Sequence, residues 1–479
     1  MRDRVVTGMV GQGGPAGTQP AQVAANSPLA LTPLLDPSLS DLVHGQPQIL
    51  QGLVERFGSP LNIVWPDLLK KNMAAMRRVQ QRHGLRLDVY YACKANKSHA
   101  LVRAAVETGA GVEVSSEYEM ADAVRLGAAP ALLCATGPAK TDRFLRRLIA
   151  AGCLISIDSA EEFSDVRTLV GEVRFERPAR VLLRYRPASE AASRFGMADD
   201  DLRHCLSALT ETGDSVILEG FHIHLSGYQH QSRLRAVRQL ARHIEEARRM
   251  GLTPHTLNIG GGMPVRYVGN ASPDALTQAG NPHQYRNGKA PADVYPYDGR
   301  VDAEGWLDLL LEAPYDGGVS VAQYLDTHDL TLAIEPGRSL ADQAAMSIFR
   351  ITRVKALPDR TRVLFVEGSS FSACETWFAS EFMVDPILVP QRARVGAPAR
   401  AWIAGHSCLD EDVITNRLVP FQVLPCADDL LVYPNTGGYQ MDLLENEFHR
   451  HPMPRRIAAR RVPGGDIDVW PDDGRGSSG

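Results

Sequence analysis

Three features of this sequence have the residue types that a phosphorylated aromatic cofactor would need. Lys94 follows a short apolar run, so its amine could lie in a dry setting where a Schiff base forms. Gly260–Gly262 could let backbone N–H groups approach a phosphate dianion, and Glu335 could keep a pyridine nitrogen protonated. Together they favour a pyridoxal 5'-phosphate site. Each is weak alone, because most lysines are solvated charges, most glycine triplets are turns, and Glu335 could simply follow a buried strand.

Eight short apolar runs, separated by segments with helical spacing, would have to position these residues. The runs are Leu87–Cys93, Gly111–Ser115, Ala131–Ala135, Cys153–Asp158, Ala179–Tyr185, Glu219–Leu225, Thr256–Ile259 and Leu330–Ile334. This alternation predicts a parallel (β/α)8 TIM barrel, with a doubly wound sheet as the alternative. In a barrel, the carboxyl ends of the strands share one face. That face would carry Lys94, Ser115, Asp158, His224, Gly260 and Glu335.

Changes in composition and in hydrophobic pattern along the chain predict its domains. Residues 1–26, rich in Gly, Ala, Gln and Pro, are predicted to be a flexible leader, and residues 27–65 to contribute to a β domain. Residues 66–341 would form the cofactor-binding barrel, interrupted at 271–302 by an irregular insertion that is a lid or simply disordered. Strand-like segments predict the β domain at 342–470. Residues 471–479 are predicted to be a flexible tail.

Composition sets the class of protein. The chain has 479 residues, 44% of them hydrophobic, and no apolar run of membrane-spanning length. Its net charge of −5 gives no basic footprint for nucleic acid, and its seven scattered cysteines lack zinc-site spacing. We therefore expect a cytoplasmic protein that acts on a small molecule without nucleic acid, membrane or metal.

The ordered motifs resemble those of fold-type III pyridoxal phosphate decarboxylases, the group that includes diaminopimelate, ornithine and arginine decarboxylases. The motifs are residues 91–96, 111–116, 221–224, 259–262 and 335–338, and the resemblance spans roughly 55 to 455. It implies an alanine-racemase-like barrel joined to a C-terminal β-sandwich or β-barrel domain. It also implies a homodimer with shared active sites. The cofactor-binding residues that it implies are Lys94, Glu113, His224, Gly260, Gly261, Gly262, Glu335, Gly337, Arg338 and Tyr439, with Glu119 at the acidic position after the second strand.

The resemblance also implies catalytic roles for Lys94, His224 and Cys408. Cys408 would lie in a loop donated across the dimer and return a proton to carbon, although a lone cysteine is more often a small buried hydrophobe. The residues implied for substrate binding are Asp385, Asp410, Asp412 and Arg338. Several positions depart from the family pattern: Leu409 replaces an acid, Asp385 replaces an arginine, and His449 stands where asparagine is usual. Residues 224–228 also differ from the commoner His-Ile-Gly-Ser-Gln.

These departures indicate retained cofactor machinery and an altered substrate pocket. The implied activity is that of a carboxy-lyase: decarboxylation of an amino acid, or of an amino-acid derivative other than standard meso-diaminopimelate, through a Lys94 aldimine and a quinonoid. An amino-acid racemase or epimerase on the same fold is an alternative, although racemases of this fold usually place arginine where Glu335 stands. A non-catalytic regulatory homologue is the other alternative.

Overall fold

Eight parallel strands close a barrel in the computed structural model, which describes residues 30–269, 281–290, 301–370, 384–442, 447–462 and 466–472. The strands are Arg86–Ala92, Gly111–Val114, Leu133–Ala135, Leu154–Ile157, Ala179–Arg184, Val216–His222, Thr256–Asn258 and Thr331–Ile334. The last strand pairs in parallel with the first and with the seventh, which closes the ring. The predicted barrel is therefore confirmed, and the doubly wound alternative is wrong.

Helices alternate with these strands, and after each of the first four strands a capped helix begins within a few residues. The barrel helices are Pro66–His83, His99–Glu107, Glu117–Arg125, Asp142–Ala151, Ala160–Glu172, Asp199–Leu209, His230–Arg249, Ala303–Glu312 and Val321–Thr327. Ser98, Ser116, Thr141 and Ser159 each accept a backbone N–H bond from the first turn of the helix that follows. Such a cap contributes about 1 kcal/mol, and it fixes where each loop at the barrel mouth ends.

The second domain is built on the long strand Ala345–Ala356. This strand pairs antiparallel with Leu61–Val64, Arg362–Val366 and Leu430–Pro434. The other strands of the same sheet system are Ile387–Val389, Ala399–Ala404, Val413–Phe421, Arg455–Arg461 and Ile467–Pro471. The β-rich C-terminal domain predicted from the sequence is thus present.

The segment before the barrel adds both strand and helix to this domain. Leu61–Val64 lies between two strands of the domain, antiparallel to one and parallel to Arg455–Arg461. The helical pieces Pro37–Ser40, Asp41–Gly45 and Pro47–Phe57 precede it and bury their apolar side chains on the sheet. The sequence did not indicate these helices, because they are short and rich in turn residues.

The tail begins later than predicted. Pro471 is the last residue of a strand, and the buried carboxylate of Asp472 accepts hydrogen bonds from Ser98 Oγ and from Ala100 N, the latter at 2.7 Å. Asp472 therefore ties the β domain to a barrel helix, which corrects its assignment to a flexible tail. The leader and residues 473–479 lie outside the described residues.

Part of the predicted insertion packs against the β domain. Residues 281–290 form two short 3-10 turns, and Tyr285 makes a β-bridge with Arg417. Asn416 Nδ2 donates to Lys289 O at 3.1 Å. These contacts connect the insertion to the second domain, while residues 270–280 and 291–300 lie outside the described part. Within the described ranges no helix has the length and apolar character needed to cross a bilayer.

Candidate active site

A cavity of about 550 Å³ opens at the carboxyl ends of the barrel strands, and Tyr439 of the β domain forms part of its wall. The predicted site residues that line it are Lys94, His224, Gly261, Gly262, Glu335, Gly337, Arg338 and Tyr439. Glu113 and Gly260 adjoin this lining through Lys94 and Gly261. One cavity thus brings together the residues that the motifs singled out in the barrel.

Lys94 is positioned by the 3-10 turn Cys93–Ala95, which follows the first strand directly. Its Nζ lies 3.0 Å from Glu113 Oε2, and the lysine side chain is 35% exposed whereas that of Glu113 is fully buried. Burial acts to lower the pKa of Lys94, but the negative charges of Glu113 and Glu335 outweigh it and raise that pKa above its ordinary value. The amine is therefore held as an ammonium ion at the cavity wall.

Glu335 follows the last barrel strand and is only 2% exposed. Asn258 Nδ2 donates to its Oε1 at 2.8 Å, while its Oε2 accepts no hydrogen bond within 3.5 Å among the described residues. Burial acts to raise the pKa of Glu335, but the neighbouring histidines and Lys94 hold it below its ordinary value. A buried anionic oxygen with an unfilled acceptor site therefore faces the cavity.

Two histidines flank this carboxylate. His224 Nδ1 lies 3.8 Å from Glu335 Oε2, and His222 Nε2 lies 3.5 Å from Oε1. His222 Nδ1 is 2.7 Å from Ser156 Oγ, and burial lowers its pKa to about 3, so this ring is neutral. The motifs in the sequence gave no role to His222. The signal was present, since residues two apart on a strand share a face and His224 was already predicted to lie at the mouth.

The glycine triplet forms a cradle that a side chain would fill. Gly260 and Gly262 have φ of +67° and +85°, in the left-handed region that favours glycine. A Cβ on Gly260 would lie 2.6 Å from His224 Nδ1, and one on Gly261 would lie 2.8 Å from Glu335 O. A residue larger than glycine therefore does not fit at Gly260 or Gly261, and Gly261 and Gly262 present only backbone atoms to the cavity that they line.

The combined donor set fits a phosphorylated aromatic ring. The ligand atoms of His222, His224 and Glu335 lie within 4.8 Å of one another, so they could accept a metal ion or the protonated nitrogen of a heterocycle. The glycine cradle adjoins this group and suits an anion instead. A molecule with a protonated ring nitrogen and a phosphate satisfies both halves of the site.

Arg338 and Tyr439 connect this cavity to the second domain. Arg338 Nη1 donates to Gly438 O at 3.1 Å, and its Cζ lies 5.0 Å from the centre of the Tyr439 ring. Tyr439 N donates to Ala95 O at 2.7 Å. The turn that carries Lys94 is therefore held directly by the β domain.

A second arginine in the cavity was not singled out by the sequence analysis. Arg184 ends the fifth barrel strand, and its Nη1 donates to Asp158 Oδ1 at 2.7 Å. A charged residue closing an apolar barrel strand was the available signal. Arg194 and Phe195 also line the cavity from the following loop, where no local pattern indicated a site.

The predicted substrate residues of the β domain do not line this chain's cavity. Asp385 forms a buried ion pair with Arg417 and accepts from Leu31 N at 2.7 Å. The carboxylate of Asp385 is thus already bonded within the β domain, and its role at the substrate stays a prediction. Asp412 accepts from Ser370 N at 2.7 Å and from Ser407 N at 3.0 Å.

The loop that carries Cys408 lies outside the cavity of its own chain. Its thiol is exposed, and the neighbouring Asp410 is paired with Arg286 from the insertion. This ion pair lowers the pKa of the Asp410 carboxyl. Glu119 is likewise outside the cavity lining, and its Oε2 accepts a hydrogen bond from Ser115 N at 2.6 Å.

Comparisons with known proteins find similarity to decarboxylases. Residues 69–286 match the family described as "Pyridoxal-dependent decarboxylase, pyridoxal binding domain". The chain is 52% identical over 444 residues to the Sinorhizobium fredii protein named "Uncharacterized protein y4yA", which covers 92% of this chain and 96% of that protein. It is 24% identical over 435 residues to the Niallia circulans protein named "L-glutamyl-[BtrI acyl-carrier protein] decarboxylase". This alignment covers 86% of this chain and 91% of that protein. The solved structure of diaminopimelate decarboxylase from M. jannaschii with L-lysine superposes with a TM-score of 0.68 at 19% identity, covering 88% of this chain and 91% of that one.

Proposed function

The chain belongs to the pyridoxal-dependent decarboxylases, carboxy-lyases that use pyridoxal phosphate, and from this membership we propose that it decarboxylates an amino acid or amino-acid derivative other than meso-diaminopimelate. The observation that carries the proposal is the cavity in which Lys94 and the buried carboxylate of Glu335 face a common space. The departures around the substrate pocket support the finer part, which concerns the substrate.

The cavity residues fit the family's cofactor. When bound, pyridoxal phosphate supplies an aldehyde carbon for an amine and a ring that withdraws the electron pair left by a departing carboxyl group. Lys94 provides the amine, and Glu113 Oε2, 3.0 Å away, can take the proton that Nζ must lose before it attacks. Gly261 and Gly262 leave room for the phosphate at the cavity wall.

Glu335 and His224 would hold the ring. Glu335 Oε2 has the free acceptor site and the negative charge needed to keep a proton on a ring nitrogen. Asn258 fixes the other carboxylate oxygen, so the carboxylate cannot rotate freely. His224 is a third exposed beside that carboxylate and lines the cavity, so its imidazole could contact the ring.

The proposed substrate class is supported by the hydrogen bonds and ion pairs that the acidic residues of the β domain already make. The carboxylates of Asp385 and Asp410 are paired with arginines, and Asp412 binds loop amides, so none of the three is free for a distal amine. The cavity itself contains Arg194, whose guanidinium stacks 4.2 Å over the Phe195 ring. The acidic residue that lines the cavity besides Glu335 is Glu190, whose Oε2 accepts a hydrogen bond from Ser226 Oγ at 3.2 Å. This charge distribution favours a substrate whose side chain carries a carboxylate or a carbonyl group rather than a second amine.

A panel of L- and D-amino acids tests the proposal. With cofactor-loaded protein, we expect carbon dioxide release and a product lighter by one carboxyl group, with kcat/KM for dibasic amino acids at least about 100-fold below the best substrate, as expected when a charged group lacks its partner. Arg286→Ala frees Asp410, whose loop could reach a substrate only in a neighbouring copy, and should raise kcat/KM for dibasic substrates by about tenfold, the effect of one charge-assisted contact. Arg286→Ala combined with Asp410→Asn is the control and should show no such gain.

Two outcomes would contradict the proposal. If meso-diaminopimelate were the best substrate, the engaged carboxylates would have no bearing on specificity. If the protein exchanged the substrate's α-proton for solvent deuterium and retained the carboxyl group, the reaction would be racemisation.

We further propose that two copies of the chain share their active sites. Cys408 is exposed and lies outside the cavity of its own chain, so it could return a proton to carbon only in a neighbouring copy. Mixing the inactive variants Lys94→Ala and Cys408→Ala should then restore activity. Random exchange makes half of the dimers mixed, each with one intact site, so recovery should approach about a quarter of the wild-type rate. No recovery after verified subunit exchange would place each site within a single chain.

A further inference from the structure

The exposed thiol of Cys408 is in contact with an imidazole. Its Sγ lies 3.3 Å from His449 Nε2, although the two residues are separated by 41 positions in the sequence. Cys408 belongs to the loop after the strand Ala399–Ala404, and His449 belongs to the 3-10 turn Phe448–Arg450. The contact thus joins two separate elements of the β domain at the surface that carries the thiol.

Both sides of this contact are held by further interactions. His449 has φ 57° and ψ 19°, a left-handed conformation, and its ring stacks on Phe448 with 4.1 Å between centroids. On the other side, the carboxylate of Asp412 binds the amide of Ser407, next to the cysteine, at 3.0 Å. The thiol and the imidazole are therefore both placed by the fold.

A pair of stacked histidines lies beside the contact between Cys408 and His449. His406 and His451 stack with centroids 3.4 Å apart, and the His451 ring lies 6.5 Å from the His449 ring. His406 Nδ1 accepts from Gly368 N at 2.9 Å, and burial, followed by the neighbouring His451, lowers its pKa to about 4. His406 is therefore a neutral, fixed support, and His449 is the ring in contact with the sulfur.

We propose that His449 is the proton partner of Cys408. The thiol proton moves from Sγ to Nε2, which leaves a thiolate and an imidazolium; the reverse transfer restores the thiol. In the proposed decarboxylase, the thiol gives its proton to the substrate carbon, which leaves a thiolate beside the neutral imidazole. His449 then takes up a proton from solvent and passes it from Nε2 to the sulfur, so one solvent proton is consumed in each turnover and no oxidant is needed. Only the proton transfer to the substrate carbon rests on the proposed function. The proton transfer between Sγ and Nε2 does not depend on substrate.

Thiol alkylation measures this exchange without any turnover. Because the thiolate is the reactive form, a neighbouring base that takes the thiol proton accelerates alkylation near neutral pH. We would treat the full-length protein with iodoacetamide at pH 7, in the absence of substrate, and follow each cysteine peptide by mass spectrometry. The exposed Cys426, whose Sγ lies 3.7 Å from a carbonyl oxygen instead of an imidazole, serves as the internal standard.

His449→Asn is the informative variant, because asparagine tolerates the left-handed conformation of this position. We expect it to slow alkylation of Cys408 by about tenfold, as expected when a thiol loses its base, while the rate at Cys426 stays unchanged. His451→Asn removes a neighbouring ring that does not touch the sulfur and should change the rate at Cys408 by less than about twofold.

Two results would overturn the proposal. One is an equal rate at Cys408 in the wild type and in His449→Asn, with matching circular dichroism spectra. The other is an equal loss in both histidine variants, which would reflect a general change in the loop. Alkylation that responds as expected in a protein without decarboxylase activity would uphold the pair and reject only its proposed use.

Discussion

Replacing Lys94 by alanine is expected to abolish turnover, by at least about 10³-fold, and to prevent covalent attachment of the cofactor. The reason is that Lys94 Nζ is the amine at the cavity wall, 3.0 Å from Glu113 and within the field of Glu335. Borohydride reduction of the loaded wild-type protein, followed by peptide mass spectrometry, should place a pyridoxyl group on the Lys94 peptide. The variant should carry none.

Lys97 provides the matched control for this experiment. It lies three residues further along the chain, is 51% exposed and does not line the cavity. Lys97→Ala should keep the reduced adduct and lose no more than a few-fold in rate, as is usual for a surface substitution. An adduct on Lys97, or one retained in Lys94→Ala, would show that the cavity geometry misidentifies the reactive amine.

The barrel and one wall of the site could be predicted from local sequence because parallel strands are buried on both faces and form short apolar runs. Even Thr256–Asn258, a strand of three residues, was indicated by such a run. Once the strands are known, closure places their carboxyl ends at one mouth. Lys94, His224 and Glu335 therefore meet there without any information on distant contacts.

The partners of the acidic residues could not be predicted, because these contacts join residues that are far apart in the chain. Asp385 seemed free for a substrate because its partner Arg417 is 32 residues away, and Asp410 is paired with a residue 124 positions earlier. The capping of a barrel helix by Asp472 spans 372 residues. Neither hydrophobic periodicity nor a turn motif indicates such pairs. The sequence therefore identified the acidic residues, but it did not identify the residues that bind their carboxylates.

Removing the negative charge of Glu335 should reduce turnover nearly as much as removing the amine of Lys94. Glu335→Gln keeps the size of the side chain and an oxygen for Asn258 Nδ2, but it removes the negative charge that we propose would lie beside the ring nitrogen. We expect kcat to fall by about 10²- to 10³-fold while the cofactor still binds, since one electrostatic group at a reacting centre has an effect of this size. Because Glu335 also helps to raise the pKa of Lys94, the pKa of that amine should fall in the variant.

Glu119→Gln is the control that separates charge at the ring from charge near the mouth. Glu119 lies at the same end of the barrel, but its Oε2 is bonded to Ser115 N and it does not line the cavity. Steady-state kinetics and the visible spectrum of the bound cofactor should therefore change little in this variant and strongly in Glu335→Gln. Equal losses would mean that the barrel mouth needs negative charge in general. A Glu335→Gln protein with wild-type kcat would show that the ring nitrogen does not need an anionic partner.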